Sequence, residues 1–387
     1  MQLSFEEDAL ILITGTEHLP EWIQKNDVTG IEDPKLSGRL EKGLLTFLHL
    51  VRPAFDEIMK LAKIAKRNFV PFHVLGKVDR NNPDKVINLK MRKKLRRQGV
   101  KNVYLTDDKK GWDNLSYSLK KKHTRMLDEH GPLDFIGDVH GCYDELTALL
   151  NKLGYLASET IINGSIHKRY FHPQKRKLVF LGDMVDRGPA SDKVMELILE
   201  LNNQNMAYAV LGNHDEKFLR YLKGNPVTVN SGLEETISQV EGKSEEFKNN
   251  IICFLKSLPS HYVFDNGNVV AVHAGIREDM QGKDSREIKD YCVFGEPGEK
   301  KKYDGLPERR DWGRNYRGKA KVVYGHTPVK EPFWVNNSID IDSGCVFGGK
   351  LTALRYPENE LISVNSFDPY YPGVDFVDFR KEWNLQD

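Results

Sequence analysis

The stretch Asp134-Phe135-Ile136-Gly137-Asp138-Val139-His140-Gly141-Cys142 decides how the chain is read. A short apolar run ends in a carboxylate and an imidazole two residues apart and is closed by glycines, the pattern of a strand entering a tight loop. Residues i and i+2 of a strand face the same way, so Asp138 and His140 can reach one point in space. A metal ion suits that point. One Asp-x-His pair is weak evidence by itself, because many strands end in polar residues.

Moving outward, the pattern recurs. Lys177 to Leu181 leads into Gly182-Asp183-Met184-Val185-Asp186-Arg187-Gly188, and Ala207 to Leu211 leads into Gly212-Asn213-His214-Asp215. Asn268 to Val272 leads into His273-Ala274-Gly275, and Lys321 to Tyr324 into Gly325-His326-Thr327. Helices are expected over 143–153 and 191–202, with a polar excursion over 157–177. A single histidine at a strand end is usually a packed or hydrogen-bonded residue. An apolar run that ends five times at a turn bearing Asp, Asn or His reverses that expectation.

The strand ends assemble a donor set of Asp138, His140, Asp183, Asn213, His273 and His326. Carboxylate, amide and imidazole without thiolate suit manganese, iron, cobalt, nickel or zinc, and affinity order alone does not choose among them. Six donors exceed the needs of one ion with open positions. Two divalent ions sharing Asp183 fit better, about 3.5–4 Å apart, clamping the attacking and leaving oxygens of a phosphoryl centre. Water bound to such an ion has its pKa lowered to about 7, so a metal-bound hydroxide is available at neutral pH. His214 is the candidate general acid, Asp186 the carboxylate that fixes its tautomer, and Arg187 a fork for two phosphate oxygens. Asp144 and Asp215 read as helix-start carboxylates.

Together and in this order, Gly137–Gly141, Gly182–Gly188, Gly212–Asp215, His273–Gly275 and Gly325–Pro328 resemble the calcineurin-like metallophosphoesterase superfamily. The resemblance implies an α/β fold, a metallophosphoesterase β-sandwich flanked by helices, with a di-metal site at the strand ends. It also implies manganese as the first choice of metal. Within the superfamily, Ser231-Gly232-Leu233-Glu234, Val323–Val329, Val335-Asn336-Asn337 and Asp342–Pro357 are similar to two groups. One is the phosphatase module of bacterial polynucleotide kinase-phosphatase. The other is the PrpE-type phosphatases that hydrolyse bis(5'-nucleosyl) tetraphosphates. Both need the same nucleophile and clamp, so the motifs do not separate them.

The length, 387 residues, allows two domains. The acidic start Glu6-Glu7-Asp8 is unlike a signal peptide and the Ala9–Ile13 run is too short to span a bilayer, so no membrane association and a cytoplasmic location are expected. Cys142, Cys253, Cys292 and Cys345 show no paired spacing, which points to reduced thiols. A net charge of +1 hides an asymmetry: residues 1–130 hold 25 Lys and Arg against 18 Asp and Glu, while the remainder holds 32 against 38. Between Lys60 and Lys122 there are 19 basic and 5 acidic residues. Arg92, Lys93, Lys94, Arg96 and Arg97 lie on an expected helix with Ile87, Met91 and Leu95 on its apolar side, either a solvated face or one that attracts phosphate backbones.

Residues 9–14, 44–50, 69–75 and 103–104 read as strands and 53–66 as a helix, a small α/β layer, while 16–41 read as irregular and 111–131 as a polar connector. These features resemble, more loosely, the later part of the kinase module that precedes the phosphatase in RNA-repair enzymes. No G-x-x-x-x-G-K-[ST] follows Gly15 and no aspartate ends the 44–50 strand, so a kinase-like domain here would be catalytically silent. The expected organisation is a degenerate kinase-like α/β domain over 1–125, a metallophosphoesterase domain over 131–365 and a C-terminal extension over 366–387. The expected activity is di-metal hydrolysis of nucleotide or RNA-end esters, a 3'-phosphate or a 2',3'-cyclic phosphate, with RNA touching the basic N-terminal domain. The alternatives are a bis(5'-nucleosyl)-tetraphosphatase, a serine/threonine protein phosphatase and a non-catalytic RNA-binding protein.

Overall fold

A computed structural model describes residues 2–14, 30–78, 87–106, 116–120, 122–162, 165–301, 307–309 and 312–382. The chain divides into two units, Met1–His123 with Gly282–Arg286, and Thr124–Gln281 with Glu287–Asp387. Among the described residues no helix is long and apolar enough to cross a membrane. None of the four cysteines, all among the described residues, forms a disulfide.

In the first unit the strands Thr46–His49, Leu10–Thr14, Phe72–Lys77 and Asn102–Thr106 form a parallel sheet in that spatial order. Leu10–Thr14 is central and wholly buried, which explains its unbroken apolar run. Alternation splits its side chains: Leu10 and Leu12 join a cluster with Leu36, Ile58, Leu61 and Leu95 from the helices, while Ile11 and Ile13 pack with Phe5 and Leu75. The segment after Thr14, where a phosphate-binding loop would sit, lies outside the described residues.

Three expectations are corrected here. Within the stretch read as irregular, Pro34–Glu41 is a helix. Asp33 caps it by accepting from the Lys35 amide at 2.9 Å, and Pro34 stands at its first position, where a proline has no hydrogen bond to lose. Within the expected connector, Ser116–Lys120 pairs in parallel with Gln2–Glu6, and Arg125–Met126 pairs with Val263–Phe264. Partners more than a hundred residues away, rather than local pattern, make these strands. The excursion over 157–177 contains a hairpin of Leu156–Ile162 with Ser165–Phe171.

The second unit contains two larger sheets. Ala207–Ala209, Lys177–Phe180 and Leu133–Ile136 run parallel, followed by the antiparallel strands Lys350–Tyr356 and Glu360–Asn365. The second sheet orders Trp334–Val335, Ser338–Asp340, Lys321–Tyr324, Val269–Val272, His261–Phe264 and Arg125–Met126. Leu133, Phe135, Val179 and Leu181 from the first meet Phe264, Val269, Ala271, Val323 and Ile339 from the second, so the sheets form a sandwich. The alternate residues Ile136, Leu178 and Phe180 face the helices Tyr143–Leu153 and Ser191–Asn203. Three parallel strands therefore deliver the loops after residues 136, 180 and 209 to one sheet edge, the position where α/β sheets build sites.

Candidate metal centre

Seven of the nine residues singled out by sequence occupy these loops, and His273 and His326 follow Val269–Val272 and Lys321–Tyr324 of the second sheet. His140, Asp183, Asp186, Arg187 and His326 all have positive φ, between 44° and 76°. Left-handed backbone is costly for non-glycine residues and collects where a chain must aim functional groups. Glycines give the carboxylates room. A Cβ at Gly212 would stand 2.2 Å from Asp183 Oδ1, and one at Gly325 would stand 2.2 Å from Asp138 Oδ1.

Histidine orientation is fixed from behind. His140 Nδ1 donates to the Val185 carbonyl at 2.8 Å and His273 Nδ1 to the Leu181 carbonyl at 2.9 Å. His214 Nδ1 donates to Asp186 Oδ2 at 2.6 Å. Each bond turns the Nε2 of its ring into the site, the arrangement that prepares imidazole for a metal or a proton transfer. Around His273 Nε2 lie Asn213 Oδ1 at 3.0 Å, His326 Nδ1 at 3.0 Å and Asp183 Oδ2 at 3.4 Å. Donors at right angles on an ion with bonds of about 2.1 Å stand about 3 Å apart, so this crowding of acceptors matches a coordination shell. His140 Nε2 approaches Asp183 Oδ2 from the other side at 3.7 Å. Two donor groups result, His140, Asp183 and His214, and Asp183, His273 and His326, and Asp183 belongs to both. Asp138 joins them by accepting from the His326 amide at 3.1 Å.

Charge makes the same demand. Burial raises the Asp138 carboxyl well above its ordinary range, and repulsion from Asp342, Asp183 and Asp340 adds to this. Buried carboxylates held together in this way are stabilised by cations. Burial and the Arg187 charge hold His140 well below its usual range, so it is neutral, the form that binds metal. Burial opposes the charge on Asp183, but the charge and hydrogen bond of His273 lead the contributions that outweigh it and hold the carboxyl well below its ordinary range. The donors present therefore fit a pair of divalent ions.

Arg187 Nη1 donates to His140 Nε2 and Nη2 to His214 Nε2, both at 2.8 Å. Its guanidinium also lies 5.1 Å from the Phe347 ring and 5.9 Å from that of Tyr371. Burial pushes Asp186 up to about 7 and His214 down to about 3. Asp186 is held by Thr236, whose hydroxyl donates to Oδ1 at 2.8 Å and accepts from the Asp186 amide at 2.9 Å.

Several supporting residues escaped sequence reasoning. Thr236 sits inside the Leu233–Glu241 helix with no motif around it. Asp215 stands in the first turn of the Asn213–Leu222 helix, but it also ties two loops together by accepting from the Met184 and Gly212 amides, both at 3.0 Å. Asp342 is buried beside Asp138, with its carboxyl raised to about 6 chiefly by burial. The repeated Asp340-x-Asp342 at a strand end was its available signal.

Residues 131–368 match the family described as calcineurin-like phosphoesterase. Over 241 residues the chain is 46% identical to the asymmetrical bis(5'-nucleosyl)-tetraphosphatase PrpE of Anoxybacillus flavithermus, covering 61% of this chain and 95% of that protein. Identity to the protein of the same name from Bacillus subtilis is 47% over 241 residues, covering 61% and 96%. For the Bacillus velezensis protein it is 45% over 257 residues, covering 65% and 98%.

Proposed function

Because the chain belongs to the calcineurin-like phosphoesterase family, we propose that it hydrolyses bis(5'-nucleosyl) tetraphosphates asymmetrically, to a nucleoside triphosphate and a nucleoside monophosphate. It is a metal-dependent hydrolase. The observation that carries the substrate is the 46% identity to a relative named for this reaction, across 95% of that relative. The RNA-end esters expected from the N-terminal residues have no comparable support.

Asp138, His140, Asp183, Asn213, His273 and His326 would hold two divalent ions, manganese being the first choice, and Asp183 belongs to both donor groups. Bound there, the ions would polarise the phosphoryl oxygens and lower the pKa of a water to about 7. Arg187, whose Nη1 and Nη2 rest on His140 Nε2 and His214 Nε2, would turn these N–H groups to two non-bridging oxygens of the reacting phosphoryl group once the ions and substrate are bound. His214 and Asp186 are the proton source. Uptake of a second proton through about pH 7 turns their short bond into a carboxyl O–H donating to Nδ1. An Nε2–H then faces the departing oxygen.

The test is a substrate panel with Mn²⁺: diadenosine tetraphosphate, an RNA 3'-phosphate, a 2',3'-cyclic nucleotide and a phosphoserine peptide. The highest kcat/KM is expected on the tetraphosphate, with ATP and AMP as products. Activity confined to the RNA ends would overturn the reading.

For residues 1–125 the proposed role is a silent kinase-like α/β domain whose basic Leu89–Arg97 helix contacts RNA, with 366–387 an extension of the catalytic domain 131–365. Its support is the parallel sheet and a helix with no acidic residue. Binding of single-stranded RNA should weaken with salt and with Arg92→Ala/Arg96→Ala. Affinity that ignores both would remove the role.

A further inference from the structure

Next to the candidate metal centre lies a cleft of about 550 Å³ lined by Asn213, Lys217, Arg220, Val227 and Phe294 among others. Its volume falls in the range that accepts small ligands. One end is the metal centre itself, since Asn213 Oδ1 is the atom 3.0 Å from His273 Nε2. Asn213 opens the Asn213–Leu222 helix, and Lys217 and Arg220 follow it by four and seven residues. That spacing puts all three on one face, with the Cα atoms of Lys217 and Arg220 about 6 and about 10 Å along the axis from that of Asn213. The helix therefore carries positive charge outward from the metal centre one turn at a time.

Both cations are aimed by neutral acceptors. Lys217 Nζ donates to the Asn230 carbonyl and side-chain oxygen, both at 2.6 Å, and Arg220 Nη2 donates to the Pro226 carbonyl at 3.0 Å. These contacts fix direction without neutralising charge. The carboxylate lining the cleft, Glu216, is instead engaged by Lys289 at 2.7 Å. Phe294, which ends the Arg286–Phe294 helix, leaves 53% of its surface in solvent at the cleft wall. An exposed phenyl beside two cations, Lys217 with the charges of Asp186 and Glu234 nearby and Arg220 on a carbonyl, is a poor surface for water and a good one for a flat ring attached to phosphates.

We propose that this cleft seats one nucleoside arm of a dinucleoside polyphosphate, with Lys217 and Arg220 holding phosphoryl oxygens and Phe294 stacking on the nucleobase. The proposal rests on the tetraphosphatase reading and adds the residues that select a nucleotide over a bare phosphate ester.

The experiment compares wild type, Phe294→Ala, Phe294→Trp and Arg220→Ala on diadenosine tetraphosphate and on p-nitrophenyl phosphate, which lacks a nucleobase and a polyphosphate chain. Phe294→Ala should raise KM for the dinucleotide about tenfold, the loss of one stacked base, with a much smaller effect on the aryl ester. Phe294→Trp should restore the dinucleotide KM, and Arg220→Ala should raise it as well. Equal shifts on both substrates, or none on the dinucleotide, would overturn the proposal while leaving the tetraphosphatase reading intact. A wild type inactive on the dinucleotide but active on the aryl ester would remove both. The exposed position of Phe294 keeps folding out of the comparison, and thermal melts of the variants check this.

Discussion

His214 Nδ1 lies 2.6 Å from Asp186 Oδ2, with both side chains buried. Asp186→Asn keeps the shape but cannot take up the second proton and pass it to His214, so kcat should fall about 10²–10⁴-fold on alkyl phosphate esters. A ribose alkoxide is a poor leaving group and needs the proton, whereas a departing nucleotide phosphate already carries its charge well. His214→Ala should therefore cost much more on an RNA 3'-phosphate than on diadenosine tetraphosphate. Equal losses on the two substrates would show that the pair does not protonate the leaving oxygen.

Asp183 is shared by both donor groups, and a Cβ at Gly212 would reach its Oδ1. Chelation should abolish activity and Mn²⁺ should restore it. Ions bind the folded state alone, so free metal at a hundred times Kd adds about 2.7 kcal/mol of stability that chelation removes. Asp183→Asn and Gly212→Ala should both lose the Mn²⁺-dependent rise in melting temperature. Asp183→Asn melting like wild type in the presence of Mn²⁺ would exclude Asp183 as the shared ligand, and Gly212→Ala doing so would show that the loop makes room for a Cβ.

Arg176 is a fully buried arginine, at 1% exposure, against Asp134 at 0%. Its Nη2 stands 2.8 Å from Asp134 Oδ1, and it also bonds the Leu133 and Tyr356 carbonyls and Glu358. Removing Arg176 leaves the buried Asp134 charge with only the Arg355 guanidinium at 3.6 Å and the Tyr155 hydroxyl at 2.9 Å. Arg176→Met should therefore destabilise the second unit by about 3–5 kcal/mol, on the order of 10 °C in Tm. Activity per folded molecule at low temperature should stay at wild-type level, because Arg176 touches none of the candidate site residues. Adding Asp134→Leu should cost less than the sum of the two changes, and strict additivity would refute the coupling.

What the sequence made legible is what repeats. Each candidate ligand ends an apolar run, so Asp138, Asp183, Asn213, His273 and His326 could be picked out from local pattern. Arg176 could not, because it closes a stretch that reads as polar excursion, and only the fold reveals that its charge is buried. Thr236 supports Asp186 from a helix whose local sequence says nothing about it. Gln2–Glu6 alternates buried Leu3 and Phe5 with less buried neighbours, a period-two signal that was available. Its partner, Ser116–Lys120, has mostly exposed side chains and is a strand only through the parallel ladder it completes.

The first unit should show an acid-sensitive contact of its own. Glu6 Oε2 meets His73 Nε2 at 3.0 Å, and the hydrogen bond from His73 holds the Glu6 carboxyl down at about 2, against an ordinary value of 4.5. A carboxyl lowered on folding stabilises the native state fully above 4.5, and that contribution disappears as pH falls towards 2. Glu6 is one-third exposed, so solvent screening holds the gain to about 1 kcal/mol. Denaturant unfolding of wild type and Glu6→Gln should differ by this amount between pH 5 and 7. The two curves should converge as pH approaches 2, where wild-type Glu6 is itself protonated. A difference that persists undiminished to pH 2 would mean that the glutamine substitution acts through packing and that the ionised contact contributes nothing.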